Sequence, residues 1–337
     1  MRGSLLKRPI TELCTQLSKN GLSIEKKNGC IFTDGKIEAG RYTFNGNISS
    51  QYITGLIMAL PLLNGESIIY IKGKLESEPY VDMTVQIVSE YGIKIYSDKT
   101  KNGTIYYIPG NQEYIERKKL KKEYEGDWSA ASMWLAMAYI TKKFYNKDIN
   151  IMGISPKSVQ GDKRIANIFK SLECTLEKNF SSLKLSVDSS SEISITEDGT
   201  IEIDASDIPD AVPSIALFAS AGYAQIRVIN ASRLRLKECN RLSGIYEIIH
   251  SVGGIISETD DGFLISGSKG KLLSGCNKTL KTYGDHRMVM LAVFMSIITE
   301  IPLIVEGENS VKKSYPNFIN DIKNLGGEIW QMPSETE

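Results

Sequence analysis

The sequence predicts an α/β protein of repeated units, each running strand, helix, strand, helix, strand, strand, and three patterns carry that expectation. The first pairs a short polar or acidic signal with a small-residue-rich apolar helix. It occurs at Gly46 to Gln51 before Tyr52 to Leu60, and at Glu125 to Asp127 before Trp128 to Ala136. It recurs at Ile208 to Asp210 before Ala211 to Ala219, and at Tyr283 to Asp285 before His286 to Ala292. From Asn47 through Asp127 and Asp210 to Asp285 the step is about 80 residues, within the range of a structural repeat. The second pattern is an amphipathic helix with apolar residues at i, i+3 and i+4, closed by Gly or a short turn. Its copies are Arg8 to Gly21, Pro79 to Gly92, Asp162 to Cys174, Arg241 to Gly253 and Tyr315 to Gly326. The third is a set of β-branched runs, Ser67 to Lys72, Gly103 to Ile108, Ala224 to Ile229 and Ile301 to Val305, with the composition of strands.

Five helices of the second kind stand against four of the first, so the first unit is expected to lack the helix that would cover one face of its sheet. A segment before Met1, a complementing N-terminal polypeptide or a rebuilt edge is expected to make up the difference. At 337 residues and 42% hydrophobic, the chain is long enough for two cores. The expected break falls within Asn111 to Glu123, where the run from Glu116 is charged, lacks an apolar period and reads as a solvated linker. This divides the chain into an incomplete first domain, residues 1–124, and a second domain, residues 125–337.

Forty basic residues balance forty acidic ones, so no global field draws in nucleic acid or an anionic membrane surface, and an anionic ligand must be held by local clusters. The longest apolar stretches, Tyr52 to Leu63 and Met288 to Ile298, are shorter than the roughly 18–20 residues that span a bilayer. The N-terminus has no apolar core of signal-peptide length, and the reading is cytoplasmic. Five scattered cysteines without a C-x-x-C pair, and only two histidines, suggest neither a disulfide framework nor a metal site. Cys239 reads as a small filler on a helix, and His250 as a favourable residue near a helix C-terminus.

The candidate site residues gather at helix starts, where backbone N–H groups and the helix dipole favour negative charge. Arg8 precedes Pro9. Lys237, Glu238 and Arg241 are spaced to put Lys237 and Arg241 on one helix face. His286 and Arg287 follow Asp285, and Lys312 and Lys313 precede Ser-Tyr-Pro. Asp210, Ser49 and Ser50 also suit the role of simple caps.

Asn47-Ile-Ser-Ser-Gln51, Ser77-Glu-Pro-Tyr80, Ile208-Pro-Asp210, Leu236-Lys-Glu-Cys-Asn-Arg-Leu242, Thr282-Tyr-Gly-Asp-His-Arg-Met288 and Val311-Lys-Lys-Ser-Tyr-Pro316 resemble, in order and spacing, the signature segments of the EPSP synthases. The resemblance runs over essentially the whole chain. It implies two domains of βαβαββ units forming an inverted α/β barrel of the enolpyruvyl transferase type, here with the first domain incomplete. It also implies transfer of the enolpyruvyl group of phosphoenolpyruvate to the 5-hydroxyl of shikimate 3-phosphate, in the shikimate pathway to chorismate and the aromatic amino acids, without metal or organic cofactor.

By motif position Asp210 would be the base and Glu238 the acid, with Lys237 between the substrates as an alternative proton carrier. Ser49, Ser50, Gln51, Ser77 and Tyr80, with Asp210 and Lys237, would hold shikimate 3-phosphate. Arg8, Gln51, Arg241, Arg287 and Lys313 would hold phosphoenolpyruvate, and His286 and Asp285 would support them. The chain departs from the pattern at Asn240, where the family usually has Asp, and at Arg233, where some members have a smaller substrate-contacting polar residue. A UDP-N-acetylglucosamine enolpyruvyl transferase shares the architecture, but Ser-Ser-Gln and Asp-His-Arg-Met resemble the shikimate branch. The alternative from another class is a non-catalytic remnant of the fold, serving as an anion-binding or interaction module.

Overall fold

The computed structural model describes residues 10–28, 30–47, 49–116, 124–171, 193–222, 224–268, 271, 273, 279–299 and 301–330. The chain opens with α1 (Thr11–Lys19) and a hairpin of β1 (Leu22–Lys27) and β2 (Cys30–Gly35). A full unit follows: β3 (Arg41–Asn45), α2 (Ser50–Ala59), β4 (Ser67–Lys72), α3 (Glu78–Glu90), β5 (Tyr96–Thr100) and β6 (Gly103–Ile108). Next come α4 (Trp128–Tyr145), α5 (Arg164–Ser171) and β7 (Ile193–Ile195). A second full unit comprises β8 (Ile201–Asp204), α6 (Val212–Ala221), β9 (Gln225–Ile229), α7 (Arg241–Ser251), β10 (Ile255–Glu258) and β11 (Phe263–Ser266). The chain continues through β12 (Thr279–Leu280), α8 (His286–Thr299), β13 (Ile304–Val305) and α9 (Phe318–Asn324).

The repeat is visible in strand pairing. One sheet has the order β3-β4-β6-β5 and the other contains β8-β9-β11-β10, with β7 added beside β8. In each the first pair is parallel and the next two are antiparallel. A parallel pair needs a crossover, which α2 and α6 supply, whereas the closing strands need only a tight turn. The parallel pair β12–β13 opens a further copy, and α1 with its hairpin matches the closing half of a unit, as α3 does with β5 and β6. β13 is shorter than the run from Ile301 suggests, because Pro302 has no N–H to give to a ladder. Residues 117–123 of the expected linker lie outside the described residues.

Apolar periodicity decides which helices lie inside. α6 is apolar all round and buried along its whole length, and α8 is buried at all but a few positions. These two pack on each other and on α4, so three of the four helices of the first kind form one bundle, while α2 packs on α3 in the other core. Trp134 of α4 meets Phe294 of α8 edge to face at 5.0 Å, and Phe294 meets Phe318 of α9 in the same way at 5.4 Å.

Buried apolar side chains form two clusters, one from Tyr42 to Ile108 and one from Trp128 to Ile322. The elements carrying them meet at residues 74–80. Lys74 Nζ donates to Ser206 Oγ at 2.9 Å, the Ser77 N–H donates to Ser206 O at 3.2 Å, and the Tyr80 hydroxyl donates to Asp162 Oδ2 at 2.7 Å. Among the described residues no helix is long and apolar enough to cross a membrane. Because Phe294 joins three helices, Phe294→Ala is expected to cost about 3–5 kcal/mol in urea unfolding. A loss below about 1 kcal/mol, the scale of a surface change, would mean that the bundle does not depend on this ring.

Candidate active site

The 3-10 turn Pro209–Ala211 runs directly into α6 and carries Asp210. Another 3-10 turn, Ser232–Leu236, leads to Lys237, Glu238 and the start of α7. At α8, Tyr283 and Gly284 both take left-handed backbone (φ 55° and 70°), a turn for which glycine is suited and tyrosine is not. That turn delivers Asp285, whose Oδ1 accepts the Arg287 backbone N–H at 2.8 Å.

These three helix starts converge on one guanidinium. Arg241 Nη1 donates to Asp210 Oδ1, Nη2 to Glu238 Oε2 and Nε to Asp285 Oδ2, each at 2.7 Å. The Arg241 side chain is 1% exposed and that of Asp285 is 0%, whereas those of Asp210, Glu238 and Lys237 are 24, 23 and 28% exposed. Lys237 Nζ lies 3.5 Å from Asp210 Oδ1, and Arg287 Nη2 lies 3.5 Å from Asp210 Oδ2. The buried Nε of Arg287 has no hydrogen-bond partner among the described residues.

The sequence expectation for this segment needs one correction. Lys237 and Arg241 do not share a helix face, because Lys237 is extended (φ −78°, ψ −155°) and α7 begins only at Arg241. They meet through Asp210 instead. Arg241, an expected phosphoenolpyruvate ligand, has all three nitrogens on carboxylates, and its side chain is buried. The Asn240 departure is harmless to the helix, since its side chain caps α7 by accepting the Ser243 N–H at 3.3 Å.

Electrostatics follow from this geometry. Burial by itself raises the Asp210 carboxyl, but Arg287, Lys237 and Arg241 overcome it and hold the group well below the usual carboxylate range. Burial lowers Lys237 despite the attraction of Asp210. His286 is lowered by burial and then by Arg287, so it is neutral at pH 7, and its 3.9 Å approach to Asp285 is not an ion pair. Burial and the neighbouring Asp285 push the Cys239 thiol up to about 12, which suits a filler rather than a nucleophile.

The remaining expected residues divide into three groups. Ser77 is left-handed (φ 54°) just before α3, and its Oγ accepts from Arg233 Nη2 at 2.6 Å. Arg233 also donates to Ser206 O, and its Nε lies 3.1 Å from Glu76 Oε2, close enough for an ion pair but not aligned as a hydrogen bond. Lys313 is exposed and reaches Gly284 O at 3.3 Å, beside Asp285. Ser49, Ser50 and Gln51 sit together at the start of α2. Ser49 occupies the cap position without a side-chain cap bond, and no hydrogen bond or ion pair among the described residues joins the three to the Asp210 cluster. Arg8 lies outside the described residues.

Sequence reasoning missed Asp162, in the 3-10 turn Gly161–Lys163 before α5. It is fully buried and accepts from the Tyr80 hydroxyl and from Ser129 Oγ. Burial, then the charge of Asp210, pushes its pKa up to about 6, against the opposing pull of Arg287, so it belongs to the same electrostatic cluster. The usable signal was register, since Ser77 to Tyr80 and Arg241 stand at the same point in their units. Among the described residues no group of acidic, His and Cys side chains is placed to hold a metal ion.

The family model of EPSP synthase (3-phosphoshikimate 1-carboxyvinyltransferase) matches residues 3–322. A 3-phosphoshikimate 1-carboxyvinyltransferase of Clostridium kluyveri is 35% identical over 330 residues, 97% of this chain and 72% of that protein. One from Methanococcus maripaludis strain C5 is 35% identical over 331 residues, covering 97% and 73%. Among solved structures, the EPSP synthase of Acinetobacter baumannii aligns with a TM-score of 0.67 at 18% identity, covering 98% of this chain and 74% of that one. The enolpyruvyl transferase NikO of Streptomyces tendae aligns at 0.59 and 12%, covering 96% and 72%. At such identities the structural likeness speaks for the fold, an inverted α/β barrel of βαβαββ units. Its motifs, its repeated sheet topology and the extent of these matches together make the chain a member of the EPSP synthase family.

Proposed function

We propose that this chain transfers the enolpyruvyl group of phosphoenolpyruvate to the 5-hydroxyl of shikimate 3-phosphate, releasing phosphate. The observation that carries the reading is Asp210, a partly exposed carboxylate with Lys237 and Arg287 each at 3.5 Å and its back held by buried Arg241. The reaction needs a base for the attacking hydroxyl and an acid that gives a proton to the enol carbon and later recovers it. It also needs cations for two phosphates and two carboxylates.

Asp210 takes the hydroxyl proton. Three cations hold it ionised and weakly basic. Anionic substrates draw on Arg287 and Lys237, and as those charges are shared the basicity of Asp210 rises, so binding itself prepares the base. Glu238 serves the enol carbon, with Lys237 as the alternative carrier. Arg241 joins the phosphoenolpyruvate ligands in this reading. It fixes base and acid on one guanidinium at a set spacing.

Arg287, whose buried Nε lacks a partner among the described residues, and Lys313 receive phosphoenolpyruvate together with Arg8 and Gln51. Ser49, Ser50, Gln51, Ser77 and Tyr80 receive shikimate 3-phosphate from the first-domain side. The division into domains 1–124 and 125–337 is part of this reading, supported by the two core clusters meeting near Ser77 and Tyr80.

The direct test is phosphate release by the purified chain from phosphoenolpyruvate plus shikimate 3-phosphate. No release, with the chain folded, would favour a non-catalytic member of the family. Asp210→Ala should lower kcat by about 10²–10⁴-fold, and an unchanged rate would remove it from the mechanism. Arg241→Met strands three carboxylates together and should cost about 3–5 kcal/mol of stability, read by urea unfolding.

The pH dependence has a definite sign. The folded pKa of Asp210 lies below its unfolded value, so its stabilising contribution is present above about pH 4 and lost as pH falls below that. Arg287→Gln removes one of the cations that depress it, and should move the acid limb of kcat/KM to higher pH. A limb that stays in place would show that Arg287 does not control this carboxylate.

A further inference from the structure

Asp162 is buried on every side, yet it is not a saturated structural bridge. Its Oδ2 accepts two hydroxyls, from Tyr80 of α3 and Ser129 of α4, while its buried Oδ1 has no partner among the described residues. The turn that carries it packs directly on the start of α3. A Cβ added to Gly161 would meet Pro79 Cβ at 3.2 Å and Asp207 O at 2.8 Å, so this neighbour is fixed at close range. Both hydroxyls are directed to Oδ2, so within this group the carboxylate is the acceptor.

That settles the polarity of Tyr80. A phenol has one proton, and this one is directed to Asp162 at 2.7 Å. What Tyr80 has left to offer a ligand is its lone pairs. A phosphate or carboxylate oxygen is itself an acceptor and finds no donor there, whereas an alcohol can give its proton. Tyr80 is only partly buried, lies three residues from Ser77 and feels the charge of Asp210.

We propose that Asp162 is a positioning residue that locks Tyr80 as a hydrogen-bond acceptor, so that the pair reads a ring hydroxyl of the acceptor substrate rather than its phosphate. The inference rests on shikimate 3-phosphate being that substrate.

Titration calorimetry of the full chain with shikimate 3-phosphate, alongside KM for both substrates, tests it. Asp162→Ala and Tyr80→Phe should each weaken shikimate 3-phosphate binding about tenfold, the scale of one hydrogen bond. Because Asp162 acts through Tyr80, the double variant should be no weaker than either single one. Asp162→Asn, which keeps a carbonyl oxygen for Tyr80, should recover affinity to within about threefold of the parent, and KM for phosphoenolpyruvate should stay unchanged throughout.

A second loss in the Tyr80→Phe background, or a parallel rise in KM for phosphoenolpyruvate, would show a merely structural role and overturn the proposal. Should Asp162→Ala not fold, deoxy analogues of shikimate 3-phosphate put the same question. One of them must bind the parent and Tyr80→Phe equally well, and if Tyr80→Phe weakens all of them the hydroxyl reading is wrong. A parent chain that does not bind shikimate 3-phosphate sinks the substrate assignment along with this inference. Parent binding with unaltered Asp162 and Tyr80 variants sinks this inference alone.

Discussion

The site hangs on one buried guanidinium. Arg241 joins carboxylates from three separate segments, those leading into α6, α7 and α8, and with Lys237 and Arg287 it balances the three negative charges of Asp210, Glu238 and Asp285. Such a cluster is weak evidence for net stability, because each ion loses hydration on burial and the mutual attraction only offsets that cost. What it supplies is geometry. A planar fork whose three nitrogens are all engaged leaves little freedom to the groups it holds, so residues about 75 apart in sequence, Asp210 and Asp285, keep a fixed relation in space.

The same cluster explains why this end of the barrel suits anions. α6, α7 and α8 all start here, and their first N–H groups and dipoles favour negative charge. The protein's own carboxylates meet that demand in part. In the proposed reading an arriving phosphate or carboxylate competes for cations already in use, of which Lys237 at 28% exposure and Arg287 at 10% are the more accessible. Competition of this kind links binding to chemistry, since each cation drawn toward substrate is withdrawn in part from Asp210.

Most of the fold was legible in the sequence because it is repetitive. A step of about 80 residues between acidic signals and two alternating helix types pointed to units whose strand order indeed recurs in two sheets. The buried character of α6 and α8 followed from their lack of a polar face. The detail of the site was less accessible. The i, i+4 spacing of Lys237 and Arg241 carries meaning only inside a helix, and the helix starts one residue after Asn240, so the rule was applied where the chain is extended. Nothing local shows that the Arg241 guanidinium is held by carboxylates 31 and 44 positions away. Asp162 escaped notice for a related reason. Its partners Tyr80 and Ser129 lie 82 and 33 positions distant, and only the fold brings them together.

Two aspartates show how the fold divides one chemistry into two roles. Asp210 meets Arg241, Lys237 and Arg287 at close range and is driven to remain an anion, while Asp162, fully buried and held by neutral hydroxyls, is pushed up to about 6. The difference lies in where the cations are, since both carboxylates suffer burial and only one is surrounded by positive charge. A carboxylate among hydroxyls is suited to orienting a neighbour, because its oxygen accepts their protons in hydrogen bonds. A carboxylate among partly exposed cations is suited to changing its basicity when those cations find other partners. The separation therefore requires that Arg287, which acts on both, stay nearer to Asp210 than to Asp162 until substrate arrives, and the 3.5 Å contact to Asp210 Oδ2 together with the unpartnered Oδ1 of Asp162 is that arrangement.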